Sequence, residues 1–141
     1  MKVVDLFCGC GGLSLGFEKA GMKVVAGFDN WADAIDVYRN NFSHSAIRTD
    51  LSNVETSVDI IRPFVPDMII GGPPCQDFSS AGKRNENNGH GNLTVCFAQI
   101  VSEIMPQWFV MENVERILKS QKLQDALSIF RAAGYGLTYT I

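Results

Sequence analysis

Three short segments of this 141-residue chain hold the side chains best suited to chemistry. The first is Gly71-Gly72-Pro73-Pro74-Cys75-Gln76, which follows the apolar run Asp67–Ile70. Its two prolines fix φ and stiffen the approach to the cysteine. A thiol in a turn at the C-terminal end of a strand is held at a defined place facing a crevice, which is what a nucleophile needs. The competing reading is a half-buried structural cysteine, since free Cys often serves as a small apolar filler. That reading suits Cys8, Cys10 and Cys96. The second segment is Met111-Glu112-Asn113-Val114, after the run Trp108–Met111. Glu112 can act there as a general acid or hydrogen-bond partner, or simply as an acid favoured by the dipole of a following helix. Parallel strands end on one sheet edge, so the two segments are expected side by side.

The third segment is Cys8-Gly9-Cys10-Gly11-Gly12, between the run Val3–Phe7 and a helix-like stretch. Glycines let a backbone turn tightly and approach a ligand closely. Asp29, at the end of the next apolar run, stands where an acid accepts hydrogen bonds from ribose hydroxyls. Asp50 ends a third run and can accept from an adenine amino group. Together they predict an adenosine-containing cofactor, for which NAD and S-adenosylmethionine both qualify. The alternative is a tight turn with no ligand.

The elements that must position these residues follow from periodicity. Strands are expected at Val3–Phe7, Lys23–Phe28, Ala46–Arg48, Asp67–Ile70, Trp108–Met111 and Gly136–Ile141. Helices are expected at Leu13–Ala20, Trp31–Phe42, Asn53–Ile61, Leu93–Ile104 and Leu123–Ala133, with Gly21 and Gly134 as C-terminal caps and Pro63 and Pro66 stopping the third. Alternation of this kind predicts an α/β fold: a Rossmann-like, doubly wound, mostly parallel sheet. A strand at the extreme C-terminus with no closing helix predicts a sheet that is incomplete there. The polar stretch Gln76–Asn92 is longer than an ordinary connection and reads as a functional loop.

Composition narrows the function classes. Apolar residues make up 46% of the chain and charged residues 19%, a globular balance that excludes a disordered chain. Twelve Lys and Arg face fifteen Asp and Glu, a net charge of -3. A stand-alone nucleic-acid binder usually carries a basic face, so if DNA is the substrate, much of the phosphate contact must come from elsewhere. The four cysteines form no Cys-x-x-Cys pair, and His44 and His90 lie at no zinc-like spacing from them, which predicts neither a metal nor a disulfide framework. No run is long and apolar enough for a membrane span, and Asp5 interrupts any signal-peptide core. A reducing, cytoplasmic setting is expected.

The segment Asp5-Leu6-Phe7-Cys8-Gly9-Cys10-Gly11-Gly12-Leu13 resembles the first motif of the DNA cytosine-5 methyltransferases, with Phe7, Gly9 and Gly11 on its F-x-G-x-G core. Pro74-Cys75-Gln76, followed by Phe78, Ser79 and Gly82, is similar to the catalytic motif of the same family. Glu112-Asn113-Val114 matches its E-N-V motif. The resemblance implies the fold of S-adenosylmethionine-dependent methyltransferases, with Cys75 as nucleophile and Glu112 at the flipped cytosine. It places S-adenosylmethionine at Phe7, Cys8, Gly9, Cys10, Gly11, Gly12 and Leu13, its ribose at Asp29, and its adenine by Asn30 or Trp31 and by Asp50 and Leu51. Pro73 and Leu93 complete the pocket. The loop Ser79–Asn92 would close over the base, with Lys83 and Arg84 near phosphates. His90-Gly91 stands where the family carries Arg-Gly, and Asn92, Thr94 and Val95 also depart from the pattern. The resemblance spans residues 1–141 as the first part of a catalytic domain, without the later arginine motif, the target-recognition region or the terminal motif. Double-stranded DNA as substrate and a second polypeptide supplying the missing parts are therefore the expected partners. The alternative is a non-catalytic DNA- or cofactor-binding subunit of a split methyltransferase.

Overall fold

The computed structural model describes residues 1–74 and 92–140. Five strands, β1 (Lys2–Leu6), β2 (Lys23–Asp29), β3 (Ser45–Arg48), β4 (Met68–Gly71) and β5 (Trp108–Met111), form one sheet in the order β3-β2-β1-β4-β5. Every pairing is parallel. The helices are α1 (Gly12–Lys19), α2 (Ala32–Asn41), α3 (Val54–Ile61), α4 (Leu93–Ile104) and α5 (Gln121–Ala132). The chain winds outward from β1 to β3, then crosses back to β4 beside β1. The reversal leaves a crevice beyond the C-terminal ends of β1 and β4, where such sheets bind ligands.

Side chains alternate between faces along each strand. On one face Val4, Leu6, Phe28 and Ile69 pack with Val58, Phe97, Val101 and Phe130, so α3, α4 and α5 cover it. Phe109 stacks on Phe130 at 4.1 Å between centroids, and Phe97 meets Phe130 edge-on. On the other face Val3, Val24, Met68 and Ile70 meet Leu13 and Phe17 of α1. There a Cβ on Gly27 would stand 2.6 Å from the Tyr38 ring, so α2 packs directly on glycine backbone. Among the described residues β5 is an edge strand. Its Phe109 and Met111 join the core, whereas Trp108 and Val110 point to the opposite face and remain 54% and 39% exposed.

Local chemistry sets the helix ends. Asn53, Asn92 and Ser120 cap α3, α4 and α5, their side chains accepting from the amides of Thr56, Thr94 and Lys122. After α1, Gly21 takes φ 84° and Met22 N donates to Phe17 O at 3.1 Å; Gly134 and Tyr135 repeat this after α5.

Four expectations need correction. β1 ends at Leu6 because Phe7 turns to φ 57°, outside the strand region. Pro63 does not terminate the helical path at once but sits in a 3-10 turn, Arg62–Phe64, where its missing N–H is harmless. A second 3-10 turn, Glu115–Lys119, precedes α5, which starts at Gln121 rather than Leu123 because Ser120 supplies the cap. Residues 136–140 form no strand, and Ile141 lies outside the described residues. Tyr135 and Leu137 pack on the core, giving the alternation that suggested a strand, but the segment has no ladder partner among the described residues. Among those residues no helix is long and apolar enough to cross a membrane.

Candidate functional site

Beyond β1 the backbone takes positive φ at Phe7 (57°), Gly9 (50°) and Gly11 (96°). At Gly11 glycine is required twice over, because a Cβ would also collide with the Phe42 ring. The amide of Cys8 donates to Phe28 O at 3.1 Å. The amides of Gly9 and Trp31 donate to Asp29 Oδ2 and Oδ1 at 2.8 and 2.9 Å. Asp29 thus binds the end of β2 to the glycine turn, and each carboxylate oxygen keeps a further acceptor position.

A cleft of about 400 Å³ opens at these strand ends, lined by Phe7, Asp29, Asn30, Trp31, Asp50, Leu51, Gly72, Pro74 and Leu93. Small-molecule sites run from roughly 300 Å³ upward. Apolar surface at Phe7, Trp31, Leu51 and Leu93 suits a purine, and carboxylates at Asp29 and Asp50 suit hydroxyl and amino donors. The residues present therefore fit an adenosyl cofactor. Six of the expected cofactor residues, Phe7, Asp29, Asn30, Asp50, Leu51 and Leu93, line this cleft. Others stand elsewhere. Cys8 is buried beside Ile35 and Tyr38, and Leu13 packs with Val3 and Val24. Pro73 is buried between Gly72 and Pro74, which line the cleft in its stead. Gly9, Cys10, Gly11 and Gly12 form the turn without lining the cleft, and the Cys10 thiol is exposed.

The ends of β4 and β5 meet at the same crevice. Glu112 N donates to Gly71 O at 2.9 Å. Asn113 Nδ2 donates to Pro73 O at 2.7 Å, clamping the start of the proline turn. A Cβ on Gly72 would stand 3.1 Å from Glu112 Oε2, so the carboxylate leans over that glycine. Its point of contact, Gly72, is three residues in sequence from Cys75. Cys75 itself lies outside the described residues, as do Ser79, Lys83, Arg84 and His90. Burial and the carboxylates of Asp5 and Asp29 push the Cys8 thiol up, and burial pushes up that of Cys96. Neither has the electropositive setting that activates a thiol.

Sequence reasoning missed a buried polar chain under the glycine turn. Asp5 is fully buried, and its Oδ2 accepts from Ser14 N at 3.1 Å and Ser14 Oγ at 2.6 Å. Ser14 Oγ meets Tyr38 OH at 2.6 Å, Tyr38 OH meets His44 Nε2 at 2.7 Å, and His44 Nδ1 faces Glu18 Oε1 at 3.2 Å. Burial pushes the Asp5 carboxyl up to about 7 against the pull of Ser14, and burial lowers His44 despite Glu18. One signal was available: an aspartate inside an apolar strand run. The Asn113 clamp was missed as well, and nothing in its spacing announced it.

The family described as C-5 cytosine-specific DNA methylase matches residues 1–141. The chain is 58% identical over 141 residues to the Type II methyltransferase M.HindV of Haemophilus influenzae, covering 100% of this chain and 46% of that protein. It is 51% identical to the Type II methyltransferase M.HgiDI of Herpetosiphon aurantiacus, with the same coverage. A solved E. coli prophage protein, described as a DNA modification methyltransferase, is 34% identical with a TM-score of 0.74, over 93% of this chain and 37% of its own. The chain spans about half the length of these two curated relatives. Its doubly wound sheet is that of the S-adenosylmethionine-dependent methyltransferases, and with the match running over every residue, the chain belongs to the C-5 cytosine-specific DNA methylase family.

Proposed function

We propose that this chain carries the cofactor cleft and the nucleophile of a DNA cytosine-5 methyltransferase, and works with a second polypeptide that supplies the target-recognition region. The observation that carries the reading is the meeting of Glu112, Gly72 and the Asn113-clamped Pro73 at the mouth of the cleft lined by Asp29, Asp50 and Leu93. Asp29 would hold ribose hydroxyls, Asp50 an adenine amine, and Phe7, Trp31 and Leu51 the purine faces. When bound, S-adenosylmethionine supplies an electrophilic methyl group on a sulfonium.

Carbon 5 of cytosine is a poor nucleophile. In this reading the Cys75 thiolate adds to carbon 6, which makes carbon 5 electron-rich. Glu112 hydrogen-bonds the N3 and amine edge, so that negative charge does not build on the ring. After carbon 5 is methylated, a base removes its proton and the Cys75–carbon 6 bond breaks. The target atom is inaccessible in a duplex, so the base must leave the stack. The net charge of -3 agrees with a partner that bears much of the phosphate contact.

Double-stranded DNA containing 5-fluorocytosine is the direct test. With S-adenosylmethionine and the partner polypeptide present, a covalent complex is expected, and Cys75→Ala abolishes it. A complex that survives Cys75→Ala overturns the assignment of the nucleophile. No complex with either protein favours a non-catalytic subunit. Robust methylation by the lone chain overturns the need for a partner. Calorimetry with S-adenosylhomocysteine against NAD tests the cofactor.

A further inference from the structure

We propose that Asp5, Ser14, Tyr38 and His44 form a proton-carrying hydrogen-bond chain running from beneath the glycine turn to the surface, and that its state tunes the turn's hold on the cofactor. The second half rests on the cofactor reading above; the first does not.

The donors and acceptors along the chain can be counted. Ser14 and Tyr38 each own one hydroxyl proton, and the contacts at 2.6, 2.6 and 2.7 Å each need one proton between their atoms. Two arrangements satisfy all of them with a proton also on His44 Nδ1; a third, with Asp5 ionised and the neutral ring protonated on Nε2, holds one proton fewer and is reached as pH rises. In one, neutral Asp5 donates to Ser14, Ser14 to Tyr38, and Tyr38 to His44 Nε2, while His44 Nδ1–H donates to Glu18. In the other, every proton is shifted: an imidazolium donates to Tyr38, Tyr38 to Ser14, and Ser14 to ionised Asp5. Both hold the same number of protons, so a charge moves between the surface and the buried carboxyl without any heavy atom moving. Full burial of Asp5 and partial burial of His44 favour the neutral arrangement, and the Tyr38 hydroxyl is pushed up, so it passes a proton without storing a charge.

The chain has work to do at Asp5. Its Oδ1 is buried without a partner among the described residues, so ionisation places a charge that only Oδ2 shares with hydrogen bonds. The titratable groups bearing on it are Asp29 from β2, Cys8 in the turn and Tyr38 from α2, and Glu18 from α1 bears on His44. None of these is a cation. The coupling to the turn is electrostatic, because what changes at Asp5 is its charge and Ser14, bonded to it, lies beside the turn. Ser14 sits in the first turn of α1, Gly11 packs against Phe42 and Tyr38, and Phe42 and Tyr38 stand 4.5 Å apart. An ionised Asp5 beneath the N-terminus of α1 also competes with any acidic ligand group drawn there by the helix dipole.

The experiment follows the His44 ring nitrogens and the Ser14 amide by NMR from pH 5 to 9 in the full chain, in Asp5→Asn and in Tyr38→Phe, both of which keep side-chain shape. The neutral His44 ring is expected as the Nδ1–H tautomer, and its Nε2 resonance shows a second step near pH 7 shared with the Ser14 amide. Tyr38→Phe removes that step from His44 and leaves it at Ser14; Asp5→Asn removes both. A single His44 step unaltered by either substitution overturns the chain. Calorimetry with S-adenosylhomocysteine tests the coupling: affinity falls severalfold as pH rises through 7 in the wild type and stays level in Asp5→Asn. Equal pH profiles overturn the coupling alone, whereas no binding at any pH overturns the cofactor reading and leaves the NMR result to judge the chain.

Discussion

Replacing Asp5 by asparagine should make the protein more stable at neutral pH, although it removes a residue with two hydrogen bonds, one of them short. The folded carboxyl titrates near 7 against an ordinary 3.8, because burial outweighs the two bonds from Ser14. Below the unfolded value the group is protonated in both states and contributes its full stability. As pH rises, the unfolded chain ionises first, and the contribution is lost until the folded group ionises near 7. Within that window stability falls by about 1.4 kcal/mol per pH unit, or about 4 kcal/mol in all. The amide in Asp5→Asn keeps the shape and an acceptor for Ser14 but cannot ionise. Urea unfolding of both proteins at intervals from pH 3.5 to 8.5, compared at equal m-values, isolates the difference. The two curves should lie close below pH 4 and diverge until about pH 7, with the asparagine variant above. Parallel curves would mean that the Ser14 bonds outweigh burial, and the reasoning about a neutral buried acid would fail.

Other perturbations read other parts of the structure. Asn113→Ala should cost about 1 kcal/mol in urea unfolding by freeing the Pro73 carbonyl, and should lower the yield of covalent adduct on 5-fluorocytosine DNA by more than that stability loss explains. Gly71→Ala should cost about 1–3 kcal/mol, since its Cβ would meet the Leu6 carbonyl and stand 2.9 Å from the Phe97 ring; thermal unfolding checks this. Phe130→Ala removes a fully buried ring stacked on Phe109 and should cost about 3–5 kcal/mol, read as a lowered urea midpoint.

What could be read from the sequence, and what could not, follows from the range of each interaction. Leu93–Ile104 and Trp108–Met111 agree residue for residue with expectation, because an Asn cap and a Pro-bounded apolar run are local signals. The segment after Gly134 misled, because a pattern of alternate burial arises equally from packing against a core, and ladder pairing is not local. At the site, Asp29 and Asp50, singled out from their places at strand ends, both line the cleft. The Asp5 chain was not legible, because it joins residues 9, 24 and 6 positions apart that only the crossing of α1 and α2 over the sheet brings together. Asn113 was quoted as part of a motif, but its bond to Pro73 spans 40 positions and depends on β4 lying beside β5.

The two tryptophans of the chain divide the molecule into separately observable regions. Trp31 stands 62% exposed on the rim of the cleft, and Trp108 stands 54% exposed on β5, on a face that no described residue covers fully. Indole emission shifts to the blue when water is displaced from the ring. Trp31→Phe therefore leaves a protein whose fluorescence reports whatever covers β5, and Trp108→Phe leaves one that reports occupancy of the cleft. The chain thus carries two separate spectroscopic reporters, one at the cleft and one on β5, each read in its own single-tryptophan variant without any attached dye.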